Sequence, residues 1–91
     1  GDIIDQSDIR NAKQELRARE WAYERLVGII DLISAYKIGI KGRYDLAEFL
    51  EVPEWFLLEA IEHYKAKYGT YYKIDNYLIY FSPNFGIMEL F

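Results

Sequence analysis

The side chains able to do chemistry are few. The chain has one histidine, His63, and no cysteine, so disulfides and thiolate metal sites are excluded. A catalytic zinc centre needs three protein ligands at set spacing, commonly His with Glu or Asp. His63 stands alone, followed by Tyr64 and Lys65, and there is no H-E-x-x-H. It reads as a histidine on a helix flank. Ser7, Ser34, Ser82 and Thr70 lack an adjacent base pattern, and one imidazole cannot be assigned to any of them. Fifteen acids against eleven Lys and Arg give a net charge of −4, so paired carboxylates read first as a solvated face. No glycine-rich phosphate loop is present. The chain is therefore not expected to be a complete enzyme alone.

Two further features could bind rather than react. Residues 44–68 outline a helix-turn-helix, and a hairpin follows, as in a winged helix. Read as a DNA-binding unit, the second helix would approach bases between two rows of phosphates. Yet residues 44–64 hold Asp45, Glu48, Glu51, Glu54, Glu59 and Glu62, with no Lys or Arg, and Lys65 and Lys67 come late. That charge disfavours nucleic acid and favours a packing or protein-docking role. Tyr71, Tyr72, Tyr77 and Tyr80 could stack bases or grip a peptide, or simply pair across a half-buried sheet.

These side chains must be positioned by elements legible in the pattern. Ninety-one residues suit a single domain with a thin core, reinforced by nine Tyr, five Phe and two Trp. The fold class expected is α+β, mainly α. A first helix runs from an N-cap at Ser7 or Asp8 to about Val27. Ile9, Ala12, Leu16, Ala18, Trp21, Ala22 and Leu26 are its apolar positions, and Arg10, Lys13, Arg17, Glu20 and Glu24 lie opposite. Gly28 ends or kinks it. A second helix covers Ile29 to Tyr36 and stops before Gly39. Residues 41–43 form a basic loop around Gly42. Residues 45–50 make a third helix, Glu51 and Val52 a turn, and Pro53 the first position of a fourth, which buries Phe56, Leu57, Ala60, Ile61 and Tyr64. The period then alternates over 70–74 and 77–81 around a two-residue turn at Asp75 and Asn76. Gly86 to Phe91 could form a third short strand. Apolar runs such as Trp55 to Leu58 fall far below a membrane span of about 20 residues. No basic-then-apolar leader is legible, so a cytoplasmic setting is expected.

Three stretches resemble one family. Residues 13–22, K-Q-E-L-R-A-R-E-W-A, resemble its E-x-x-A-x-x-[WF]-A helix. Residues 44–52, Y-D-L-A-E-F-L-E-V, resemble a y-x-L-A-x-x-[FL]-x-V segment, and residues 75–81, D-N-Y-L-I-Y-F, its closing hairpin. The family is the ImmA/IrrE-type zinc metallopeptidases, especially short forms from prophages and conjugative elements of Gram-positive bacteria. The resemblance implies a zinc-binding H-E-x-x-H helix just upstream, and it matches Glu15 to the acidic zinc ligand that follows. Small Ala18 and Ala22 beside Glu15 would let another helix approach closely. Both His ligands and the general-base Glu are absent, so the activity would belong to a longer parent. Residues 1–91 would be its C-terminal half, and no tight zinc binding is expected of this chain alone. The implied partner is a protein substrate, a helix-turn-helix repressor of a mobile element. An exposed apolar face on the Glu15 helix would also permit a homodimer of the fragment, while nucleic acid and membrane partners are not expected.

Overall fold

The computed structural model describes residues 6–90, with side chains from residue 13 onward. Four helices precede three strands: α1 Gln6–Leu26, α2 Ile29–Lys37, α3 Arg43–Leu50, α4 Glu54–Tyr68, β1 Tyr71–Ile74, β2 Tyr77–Tyr80 and β3 Gly86–Glu89. The expected α+β, mainly helical architecture is therefore present, third strand included.

Local signals set the joints. Gly28, extended at φ −73° and ψ 151°, separates α1 from α2. α2 ends in a Schellman turn: the N–H of Gly39 donates to Tyr36 O, that of Ile40 donates to Ala35 O, and Gly39 takes φ +89°. α3 ends in the same pattern, with Glu51 donating to Glu48 O and Val52 to Ala47 O. Here a glutamate occupies the left-handed position, at φ 59°. α4 opens on Pro53, whose carbonyl accepts from Phe56 and Leu57. Pro53 is thus the cap, and α4 begins at Glu54, one position later than the sequence suggested. Two other boundaries move: α1 already includes Ser7 and Asp8, and Arg43 belongs to α3 and not to the loop.

The strands form one antiparallel sheet in the order β1-β2-β3. Tyr71 pairs with Tyr80 and Ile74 with Tyr77 around the Asp75–Asn76 turn; Ile79 pairs with Ile87 and Tyr80 with Gly86. Asp75 adopts the positive φ (52°) that the two-residue turn requires.

The core lies where α2, α3, the C-terminal end of α1 and one sheet face meet α4. Val27, Leu32, Leu57, Tyr64 and Ile79 are its largest fully buried side chains. Tyr64 enters the core because its hydroxyl donates to Val27 O at 2.8 Å. Stacked rings carry the packing from helix to sheet: Phe81 on Tyr64, Tyr64 on Tyr68, and Tyr68 on Tyr72 at 4.2 Å between centroids.

Candidate functional sites

Glu15 and the helix that carries it come first. α1 packs on α4, and among its described side chains Tyr23 is buried there, with Val27 buried just past its end. At 100° per residue, Ala18 and Ala22 fall on the far side, and Glu15 and Leu26 on the adjoining flank. Glu15, Ala18 and Leu26 are exposed, Ala22 is half-buried, and Trp21 beside them is 67% exposed. Leu16 points toward α4, where it shares an open groove with Leu58, Glu59 and Glu62, and is 57% exposed. The apolar positions of this helix thus do not make its buried face. Ile9 and Ala12 lie outside the residues whose side chains are described.

The buried seam lies on the side expected to be solvated. Glu20 and Glu24 turn toward α4 and meet His63. His63 Nε2 donates to Glu24 Oε2 at 2.8 Å, and Nδ1 lies 3.7 Å from Glu20 Oε2. The imidazole is only 11% exposed, close to the rings of Tyr23 and Tyr64. Lys67 Nζ donates to the same Glu24 oxygen at 2.7 Å. These hydrogen bonds, Lys67 first and His63 second, hold the Glu24 carboxyl below the usual glutamate range. Tyr23 donates to Glu59 at 2.9 Å, and burial followed by that contact pushes its phenol up. Burial also pushes the Tyr64 phenol far up. His63 is thus more than a flank residue. Its hydrogen-bond partner Glu24 stands 39 positions away, a separation invisible to spacing arguments.

The arrangement is a structural latch and not a metal centre. The two carboxylates face different ring nitrogens, so a single ion could not take both with one imidazole nitrogen. Among the described residues no three His, Cys, Asp or Glu side chains converge on one point. Glu15 belongs to no such group among the described residues, so these residues alone do not fit a zinc ion.

The helix-turn-helix pair presents Trp55 and Glu54 at the exposed start of α4, with Arg43 Nε 3.9 Å from Glu54. In the sheet, Tyr72 and Tyr77 are half-buried against Tyr68 and Tyr36, and Tyr71 is exposed. A cleft of about 540 Å³ lies between α2, the α2–α3 connection and the start of β3. Sequence reasoning missed it because its walls come from three separate parts of the chain. No described helix is long and apolar enough to cross a membrane.

The chain matches no family model, and comparisons with curated proteins and with solved structures find none that matches it.

Proposed function

We propose that this chain is the C-terminal portion of a zinc-dependent endopeptidase of the ImmA/IrrE type, which cleaves a helix-turn-helix repressor of a mobile element in the cytoplasm. In this reading Glu15 is one donor to a metal centre whose other donors lie on an upstream helix, and the chain alone is catalytically incomplete. The observation that supports it is a largely exposed strip of α1. Glu15, Ala18, Ala22 and Leu26 recur at three- and four-residue spacing along a strip running from the flank to the far side of the helix from α4. Small side chains on such a strip permit close approach of a second helix, and a carboxylate at its outer end could reach a metal held by that helix.

The test uses the parent gene product. Glu15→Gln is expected to lower bound zinc and abolish repressor cleavage while circular dichroism stays unchanged. Full zinc content with normal cleavage would sink the assignment. The α3–α4 pair followed by a sheet favours a second reading, a winged-helix-like module that docks protein. Under that reading the gene product holds no zinc, and Glu15→Gln alters neither metal content nor proteolysis.

A further inference from the structure

The cleft beside β3 has a chemical character that neither reading uses. Its floor is apolar: Leu32, Ala35, Leu46 and Phe85. Lys41 and Arg43 stand among its lining residues, and no carboxylate does. Residues 37–44 hold three cations and no acid in a chain of net charge −4. Lys37 is occupied over the Tyr77 ring. Among the described residues no carboxylate lies within ion-pair distance of Lys41, and Arg43 has only the long, exposed contact to Glu54.

The cleft also reaches the sheet edge. Ile87 pairs with buried Ile79 and belongs to the core face. Tyr80 and Gly86, opposite each other, belong to the other face. Residues of both faces line the cleft, which places it around the free edge of β3. Gly86 permits this: a Cβ there would clash with Tyr80 Cζ, so the ring crosses the strand only over glycine. The ladder fixes which main-chain groups are free. Leu90 N–H donates to Asn76 O, so Gly86, Met88 and Leu90 face β2 and the N–H and C=O groups of Ile87 and Glu89 face outward. Neither has another main-chain partner among the described residues.

We propose that this edge and cleft bind an extended acidic–hydrophobic peptide segment by strand addition to β3. The peptide main chain pairs with Ile87 and Glu89, one apolar side chain fills the cleft floor, and an adjacent carboxylate meets Lys41 and Arg43. A peptide fits better than a small anionic amphiphile because the unpaired main-chain groups would go unused by the latter. Glu89, which accepts from Asn76 Nδ2 at 3.2 Å, keeps the far end of the edge acidic and sets the peptide's acid at the Gly86 end. The inference is independent of the peptidase reading, since it concerns binding to this chain alone.

The test is a titration of the ¹⁵N-labelled chain with an acetylated heptapeptide alternating Leu and Asp. Saturable shifts of the Ile87 and Glu89 amides and of residues 41–43 are expected. The Lys41→Glu/Arg43→Glu double variant should weaken binding at least tenfold with the rest of the spectrum unmoved. Replacing each Asp of the peptide by Lys, or N-methylating its pairing edge, should do the same to the unaltered chain. The proposal is overturned by absence of saturable binding at millimolar peptide, by equal binding of the Lys or N-methylated peptide, or by decanoate filling the cleft where the peptide does not.

Discussion

Glu24 shows how much one side chain can tie together. It holds both His63 and Lys67 across the α1–α4 seam, yet it is itself partly exposed, so each pair contributes modestly. Its carboxyl is depressed in the folded chain. The associated stability is therefore present above the ordinary glutamate pKa of about 4.3 and is lost as pH falls through the lower folded value. Urea midpoints are expected to decline between about pH 5 and pH 3, and Glu24→Gln should flatten that decline. Identical pH profiles for the two proteins would show that the seam does not depend on this carboxylate. Tyr64 works differently. Its hydroxyl satisfies Val27 O inside the core, so the aromatic column from Phe81 to Tyr72 carries a polar atom without leaving it unpaired.

Among the elements, the two Schellman turns invite comparison. They share their hydrogen bonds, but one places Gly39 and the other Glu51 in a positive-φ position. A non-glycine residue in that region costs about 1–2 kcal/mol, and glycine avoids the clash while losing more entropy on folding. Glu51→Gly is therefore expected to stabilise the chain by about 0.5–1 kcal/mol, read as a higher melting temperature. A lower melting temperature would mean that the glutamate side chain holds the α3–α4 turn in some other way. The basic stretch between α2 and α3 has the opposite economy. Its two positive-φ glycines, Gly39 and Gly42, curl the chain around the cleft so that Lys41 and Arg43 come to its wall.

The described residues form a long and uneven body, 60 × 24 × 20 Å, with a radius of gyration of 15.9 Å. A globular chain of this length would have about 12 Å. Much of the excess is α1, whose 21 residues span about 31 Å and among whose described side chains only Tyr23 is buried. Stability should be divided accordingly. Leu57→Ala, at a fully buried site, is expected to cost about 2–5 kcal/mol, whereas Trp21→Ala should change the urea midpoint little. A large loss from Trp21→Ala would show that the α1 face is covered in solution, and sedimentation equilibrium would then report a second copy upon it.

The sequence by itself determined the elements and their order. Gly28, Gly39, Pro53, Gly69 and the Asp75–Asn76 turn are local signals, and the shift from helical to alternating spacing marks where helices give way to strands. It also brought Leu57, Ala60, Ile61 and Tyr64 to the buried side of α4, because an apolar stripe on a helix in the centre of a fold has only one place to go. Tertiary structure alone decided which side of α1 would be buried. Tyr23 and Val27 outweighed the longer apolar strip because α4 offered the Glu59 carboxylate to the Tyr23 hydroxyl and the Tyr64 hydroxyl to Val27 O, and Glu20 and Glu24 went with them. The same holds for His63 and for the cleft. Each is assembled from residues far apart in the chain, and periodicity records only neighbours a turn or a strand pair away.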